Sequence, residues 1–364
     1  MQMILISVLL ITIFSTVFNF YLTKTIILIA GKYNLSFYTE ERRHSLKNKS
    51  RIGGVGILLT QIIFFFIAQF IFNNFLRSYI LIPYTLLFTV FSFSFIGLID
   101  DLFNISPFYR LFFQISISII SWNQGLRLEL LNHSNYLIEQ FSIFDIPIVS
   151  VLLTVLWIAG LTNAINWLDG LDGLAGSFSL LVFLIFGMIF LNFNDYSMAL
   201  ICFTTIGACN GFLRNNLFPS KIFMGDGGSY FLGSLLACTT ISLNLRIIDN
   251  QFLINRNNIL FIPLLIFSIP ILDMIFVVFS RVLNNLSPFY PDKSHFHHKL
   301  RNNGLSVNDI VLFYLGITQW LGFIIMYLLN IHFVSIAIMI ISYFLFFLIS
   351  IIYSLKIKKF RSIN

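Results

Sequence analysis

The sequence has little charge: only 10% of its 364 residues are Asp, Glu, Lys or Arg, whereas 58% are hydrophobic. Soluble globular domains carry about a quarter charged residues, so this composition excludes an ordinary soluble domain. The mean hydropathy of +0.89 and the 44 phenylalanines are typical of a chain that lies mostly in lipid. We therefore predict an all-α integral membrane protein.

Cysteine is also scarce, and the chain has only three. Cys202, Cys209 and Cys238 lie within apolar stretches and have no paired spacing, which argues against a disulfide framework or a cysteine zinc site. We interpret them as small core residues. Long polar stretches are absent as well, so a separate soluble domain is excluded and we expect residues 1–364 to form one domain.

Apolar segments of about 17 to 25 residues can each cross a bilayer as a helix. Their number predicts a polytopic bundle of about 10–11 transmembrane helices. The extreme N-terminus has no basic residue and no small-residue cleavage site, so we expect a first span there and not a removable signal peptide. The predicted spans are 3–23, 52–72, 80–99, 111–126, 146–162, 176–192, 197–213, 229–246, 259–280, 309–330 and 333–354.

The basic residues are concentrated in alternate loops. Of the 22 lysines and arginines, all but Arg77, Arg127, Arg246 and Arg256 lie in five loops. Short cytoplasmic loops carry such an excess, so we predict that these loops are cytoplasmic and the N-terminus is outside. The high pI then reflects topology and attraction to lipid headgroups, and no nucleic-acid partner is expected. The basic loops are 24–51, 100–110, 213–221, 281–301 and 355–364.

The most informative segment is 157–176, where an apolar run ends in amides, carboxylates and glycines. Asn163, Asn166 and Asp169 fall three residues apart, so on a helix they form one polar stripe. Gly170 and Gly173 then allow the backbone to open toward a ligand. This pattern suits a metal-bound, phosphate-bearing substrate.

Two further acidic motifs stand at the ends of apolar spans. Asp100 and Asp101 are adjacent, and adjacent helical side chains point about 100° apart. One is expected to approach a nucleophile or metal, the other a neighbouring helix or a positive side chain. Asp226 lies among three glycines in 223–229; magnesium prefers a few hard oxygen ligands plus substrate phosphates, although an ordinary turn also explains glycines.

A loop at 287–299 contains His295, His297 and His298. Zinc is disfavoured because no cysteine or fourth ligand lies near, and hydrogen bonds from imidazoles to phosphate oxygens fit better. The charge pattern assigns all these polar motifs to the same membrane face. We therefore predict one shared site, the alternative being that the polar residues only anchor helix ends in the headgroup region.

Together the motifs resemble the polyprenyl-phosphate N-acetylhexosamine-1-phosphate transferases, the glycosyltransferase 4 family, over about residues 30–330. One departure is in the first loop, where Lys49-Ser50-Arg51-Ile52 precedes Gly53 and the family usually has Pro-Arg before its glycines. His44 also stands seven residues before Arg51, where six is usual. Either a one-residue insertion is tolerated, or the part of this loop in substrate choice has changed. The resemblance rests on Asp100-Asp101 with Pro107, Arg110 and Gln114; Asn163, Asn166, Asp169, Gly170, Asp172 and Gly173; Gly211, Asn216 and Pro219; Asp226 and Ser229; and Asp292, His295, His297 and His298.

The resemblance implies transfer of an N-acetylhexosamine 1-phosphate from a UDP-sugar to undecaprenyl phosphate, with release of UMP, at the cytoplasmic face of a bacterial inner (cell) membrane. It implies Mg²⁺, or Mn²⁺, at Asn166 and Asp226. Either Asp100 or Asp101 would orient or deprotonate the lipid phosphate. The nucleotide-sugar pocket would be shaped by Asn163, Asp169, Asp172 and Asn216, and phosphate or sugar would be contacted by His295, His297 and His298.

The histidine loop looks like that of the common-antigen and teichoic-acid starters, which use UDP-GlcNAc, and less like that of the peptidoglycan enzyme. We therefore expect UDP-GlcNAc or a close relative as donor and UDP-MurNAc-pentapeptide to be rejected. The glycan pathway, O-antigen of lipopolysaccharide among the candidates, and the choice between monomer and homo-oligomer stay open. The alternative function is a lipid-linked-sugar flippase or another transporter, which should place polar groups near the bilayer centre.

The basic-residue pattern makes a topology prediction. A reporter fused after Lys356 should be active in the cytoplasm, and one inserted in 127–145 should be active outside. Paired fusions to a cytoplasm-active and an exterior-active enzyme measure this, each serving as control for the other. The reverse activities would place the polar motifs on the side away from cytosolic nucleotide sugars.

Overall fold

The computed structural model describes residues 2–33, 49–75, 84–128, 147–249, 261–288, 294–329 and 331. These residues form twelve helices, which confirms the all-α class. They are α1 (Gln2–Lys32), α2 (Gly53–Phe75), α3 (Tyr84–Phe103), α4 (Pro107–Asn123), α5 (Pro147–Leu168), α6 (Leu174–Asn192), α7 (Tyr196–Asn216), α8 (Gly225–Asp249), α9 (Phe261–Ile266), α10 (Ser268–Leu283), α11 (Phe296–Asn302) and α12 (Val307–Leu328).

Seven of these helices are long and apolar enough to cross a membrane: α1, α2, α3, α5, α6, α7 and α12. The chain is therefore a multi-pass membrane protein. The predicted spans 111–126 and 229–246 are also helical, as α4 and α8. The predicted span 333–354 lies outside the described residues.

The predicted span 259–280 is not one continuous helix. It is divided into α9 and α10 at Phe267. Pro270 has no N–H for the carbonyl of Ile266, and its ring would clash with that carbonyl in a regular helix. The break thus has a local cause that hydropathy alone did not reveal.

The centre of the bundle is formed by α6, α7 and α8. α7 packs against α1, α2 and α6, while α8 packs against α3, α5 and α2. Phe183, Phe186, Phe212 and Phe231 are fully buried among these helices. By contrast α1 keeps a largely exposed apolar surface, as expected for a helix that faces lipid.

Polar side chains inside the bundle are paired with one another. Asn19 Nδ2 donates to Thr60 Oγ1 at 2.9 Å, and Thr205 Oγ1 donates to Gln61 Oε1 at 3.0 Å. Such bonds satisfy groups that lipid cannot, and between spans each contributes about 0.6 kcal/mol on average. They join α1 to α2 and α2 to α7.

Glycines permit close backbone approach where α2 and α3 reach α8. A Cβ on Gly54 would collide with Gly228, and one on Gly97 would collide with the backbone of Asp226 and Gly227. The N-terminal turn of α8 is therefore held directly against both helices. This packing brings Asp100 and Asp101, at the end of α3, close to Asp226.

The polar motifs meet at one end of the bundle, as predicted. Backbone bonds join Gly53 N to Phe223 O (3.1 Å) and Phe223 N to Ser50 O (2.9 Å), so the start of α2 lies against the segment before α8. Asp172, before α6, accepts from the N–H of Ser220, after α7, at 3.0 Å. Which membrane face this end occupies stays a prediction.

The close contact at Gly97 predicts a loss of stability on substitution. Gly97→Ala should lower the free energy of unfolding by about 1–3 kcal/mol, because the added methyl overpacks the α3–α8 contact. Thermal unfolding in detergent measures this. The matched control is Gly160→Ala in α5, where the nearest atom to an added Cβ is the Met274 methyl at 3.9 Å. Equal unfolding temperatures for the two variants would contradict the assigned packing.

Candidate active site

Asp101 binds the N-terminus of α8. Its two carboxylate oxygens accept hydrogen bonds from the N–H groups of Asp226 (3.0 Å) and Gly227 (2.9 Å). The first N–H groups of a helix have no partner within the helix, and the helix dipole favours an anion there. Asp101 therefore ties α3 to α8, and both of its oxygens are occupied.

Asp100 points to a different partner, as adjacent helical side chains should. Arg110, in the first turn of α4, donates to Asp100 and lies 3.4 Å from Asp226 Oδ2. The Arg110 guanidinium thus bridges two carboxylates from different helices. Its positive charge offsets the repulsion between the two carboxylates.

Asn166 orients the other oxygen of Asp226. Asn166 Nδ2 donates to Asp226 Oδ1 at 2.9 Å and to Ser229 Oγ at 2.8 Å. The amide nitrogen faces the carboxylate, so in this arrangement Asn166 positions Asp226. Its predicted role as a metal ligand stays a prediction.

Asn163, one turn before Asn166, contacts α4. Its Nδ2 donates to Gln114 Oε1 at 2.7 Å and to its own helix at Ala159 O. Gln114 is buried, and its Nε2 has no hydrogen-bond partner among the described residues. The polar stripe on α5 therefore faces α4 at Asn163 and α8 at Asn166.

Asp172 and Asn216 hold the connecting segments in place. Asp172 Oδ2 accepts from Ser220 N. Asn216 Oδ1 accepts from Gly173 N at 3.1 Å, and its Nδ2 donates to Ile222 O at 2.9 Å. Gly173 has a positive φ of 78°, a backbone conformation that favours glycine. These side chains brace the segments that connect α5 to α6 and α7 to α8.

The carboxylates at this end are suitable ligands for a magnesium ion that takes its remaining ligands from phosphate and water. Within the described ranges, no group of three or more His, Cys, Asp or Glu residues is arranged to hold a metal alone. Magnesium commonly uses one or two carboxylates and completes its shell with substrate phosphates and water. Asp226, 31% exposed and next to Asp100, is a suitable ligand of that kind.

The three histidines pack together at the start of α11. The His295 and His297 rings are stacked 5.6 Å apart, and the rings of His297 and His298 are 4.4 Å apart. His295 also meets the Trp167 ring edge-on at 5.2 Å. Because Trp167 follows Asn166, the histidine cluster lies beside the C-terminal end of α5. The structure therefore brings this motif to the same end as the acidic residues.

His297 is completely buried, and neither of its ring nitrogens has a hydrogen-bond partner in the described part of the chain. Burial, followed by the nearby His298 and His295, lowers the pKa of His297 to about 3. The ring is therefore neutral at physiological pH. A Cβ on Gly170 would collide with it, so His297 packs against the glycine turn after α5.

One residue of this region was absent from the predicted site. Asp273 in α10 contacts both His295 and the backbone of Phe296. A lone carboxylate in an apolar helix is itself a signal of function or pairing. It was missed because no glycine or second polar residue stands next to it. Asp169 is buried at the end of α5, as its place in the stripe suggests; Asp292 lies outside the described residues.

Comparison with known proteins agrees with these motifs. The family model described as glycosyl transferase family 4 matches residues 83–244. That range includes the acidic pair, the polar stripe of α5 and Asp226. The histidine loop lies beyond it.

Two individual proteins are similar over longer stretches of the chain than the family model, and a third is similar over a shorter stretch. An undecaprenyl-phosphate alpha-N-acetylglucosaminyl 1-phosphate transferase of Pasteurella multocida is 32% identical over 266 residues, 72% of this chain and 70% of that protein. A probable undecaprenyl-phosphate N-acetylglucosaminyl 1-phosphate transferase of Bacillus subtilis is 29% identical over 256 residues, 66% of this chain and 68% of that protein. A decaprenyl-phosphate N-acetylglucosaminephosphotransferase of Mycobacterium tuberculosis is 35% identical over 133 residues, but these cover only 35% of this chain and 32% of that protein.

The different partners of the two adjacent carboxylates predict different effects on stability. Asp101→Ala should lower the free energy of unfolding by about 1–2 kcal/mol or more, since it removes the acceptor for two helix N-terminal N–H groups. Asp100→Ala should lower it less, because Arg110 keeps Asp226 as a partner and one source of repulsion is removed. Thermal unfolding of both variants in the same detergent compares them. A larger loss for Asp100→Ala would contradict these roles.

Proposed function

Because the chain belongs to glycosyl transferase family 4, we propose that it transfers N-acetylglucosamine 1-phosphate, or that of a closely related N-acetylhexosamine, from a UDP-sugar to undecaprenyl phosphate and releases UMP. The names of the similar proteins support the polyprenyl-phosphate acceptor and the acetamido sugar. The UDP donor and the release of UMP belong to the proposal. So do the bacterial inner membrane as its location and the cytoplasm as the side that the site faces.

The observation that carries the proposal is the Asp100–Arg110–Asp226 cluster at one end of the bundle. Two phosphate-bearing substrates must meet in this reaction, so the main catalytic demand is to offset negative charge and to position the phosphates. A guanidinium binds phosphate oxygens through two parallel N–H bonds. Arg110 is suited to exchange one carboxylate partner for a substrate phosphate.

The chemical step is a substitution at phosphorus. An oxygen of the lipid phosphate forms a bond to the phosphorus that bears the sugar, and the bond from that phosphorus to the UMP oxygen breaks. UMP leaves with the bonding electron pair. Asp100, whose partner is a side chain and not a helix N-terminus, is better placed than Asp101 to orient or deprotonate the lipid phosphate.

Magnesium, or manganese, when bound would neutralise phosphate charge and polarise the phosphorus–oxygen bond. Asp226 would hold it, with Asn166 fixing the direction of the Asp226 carboxylate. Asn163, Asp169, Asp172 and Asn216 would form the nucleotide-sugar pocket. In that set Asp172 and Asn216 act by bracing the loops that line it.

The histidine cluster would contact phosphate or sugar. His297 would do so as a neutral ring, with both nitrogens available for hydrogen bonds. A buried polar group that a wrong substrate leaves unpaired costs about 1–3 kcal/mol. The cluster therefore suits selection of UDP-GlcNAc over UDP-MurNAc-pentapeptide. The lipid-linked product would begin a cell-surface glycan such as O-antigen, common antigen or a teichoic-acid linkage unit.

A direct assay tests the proposal. The purified protein in detergent receives undecaprenyl phosphate, magnesium and either UDP-GlcNAc or UDP-MurNAc-pentapeptide, and UMP is measured. We expect UMP only with UDP-GlcNAc and only when the lipid phosphate is present. Equal release from both donors would refute the assigned selectivity. Absence of UMP, with movement of lipid-linked sugar across vesicles, would favour the flippase alternative.

The metal site makes a separate prediction. Asp226→Asn keeps the shape of the side chain but removes the charge that would hold the ion, so turnover should fall at least about a hundredfold and the magnesium requirement should rise. The matched control is Asp309→Asn, which alters the capping box of α12 and should retain turnover. An Asp226→Asn variant with near-normal turnover at ordinary magnesium would rule out this assignment.

A further inference from the structure

The Asp273 side chain has little contact with solvent, and it lies on a helix whose exposed residues are mostly apolar. Leu272, Ile275 and Phe276 are each at least half exposed, whereas the side chains of Asp273 and His295 are each only 9% exposed. A buried carboxylate must be paired to remain charged without a large cost. The partners of Asp273 therefore show why it is there.

Both oxygens of Asp273 bind the first residues of the histidine helix. Oδ1 accepts from the N–H of Phe296 at 2.7 Å, and Oδ2 lies 3.0 Å from His295 Nδ1. Phe296 is the first residue of α11, and His295 precedes it without a side-chain cap of its own. Asp273 supplies the missing cap from another helix and at the same time binds the ring.

The pairing decides which ring nitrogen of His295 carries hydrogen. A carboxylate can only accept, so Nδ1 must be the N–H that donates to Asp273. Nε2 is then an unprotonated acceptor, which can take a hydrogen bond from a hydroxyl group of a substrate but cannot donate one to a phosphate oxygen. The ring plane is also restricted, because His295 meets Trp167 edge-on and stacks on His297.

We propose that Asp273 is a positioning residue that holds His295 in one tautomer and one orientation toward a sugar hydroxyl group of the donor. The inference rests on the proposed function for the identity of that ligand. The tautomer of the His295 ring does not depend on the proposed function. A purely structural alternative is that Asp273 only caps α11.

Asp273→Asn separates these two roles. Asparagine has one acceptor oxygen, and the N–H of Phe296 can only donate, so the oxygen is needed there to keep the cap. The amide NH₂ then faces His295 Nδ1, which must become the acceptor, and the hydrogen moves to Nε2. The cap survives while the tautomer is reversed.

The first measurement determines the tautomer of the His295 ring from its ¹⁵N signals. Protein labelled with ¹⁵N-histidine is compared with Asp273→Asn, and the His295 signals are assigned by their loss in His295→Gln. We expect the Nδ1–H form in the wild type and the Nε2–H form in Asp273→Asn. The same form in both proteins would overturn the proposal, and this result does not depend on any activity.

The second measurement is UMP release with UDP-GlcNAc and undecaprenyl phosphate. We expect Asp273→Asn to lower kcat about tenfold or more with an unfolding temperature near that of the wild type. In a His295→Ala background the same change should cost little further, because the residue it acts through is gone. The matched control, Asp309→Asn at the cap of α12, should leave kcat unchanged.

The outcomes are distinguishable. If the wild type releases no UMP, the proposed function fails. The ¹⁵N signals still decide whether Asp273 determines the tautomer of His295. If the wild type is active and Asp273→Asn matches it in kcat, or if the losses of Asp273→Asn and His295→Ala multiply, the positioning role is overturned and Asp273 is a cap for α11.

Discussion

The arrangement of the site depends on the Arg110 guanidinium between Asp100 and Asp226. Carboxylates from α3 and α8 repel each other when both are charged, and a cation between them offsets that repulsion. Here the cation comes from the first turn of α4, so three helices are joined at one charge cluster. A reaction between two anionic phosphates needs the same condition, which is positive charge held close to negative charge in a fixed place.

The backbone around this cluster is fixed by contacts between the helices. Asp101 binds the first N–H groups of α8, and the glycines Gly54 and Gly97 let α2 and α3 approach that turn. Asn216 binds the backbone of Gly173, before α6, and of Ile222, before α8. Since each of these contacts involves the backbone, the position of Asp226 is set by the packing of the helices. Asn166 then sets the direction of its carboxylate.

Much of this could be predicted from the sequence, because glycines and acids at span ends are strong local signals. The different roles of Asp100 and Asp101 were predicted from the 100° between adjacent side chains, but which acid had which role needed the contact with α8. The break at Phe267 was missed because hydropathy does not register the absent N–H of Pro270. Asp273 was missed because its partner lies 22 residues away and only tertiary packing brings them together.

The central claim is that the reacting phosphates bind at the Asp100–Arg110–Asp226 cluster. Crystals of the protein with manganese and UDP-GlcNAc, measured for anomalous scattering from manganese, test it most directly. The account predicts a manganese peak at the Asp226 carboxylate, with the donor diphosphate within hydrogen-bond reach of Arg110. A peak and diphosphate at the opposite end of the bundle, beside the Asp195–Arg246 pair, would contradict it.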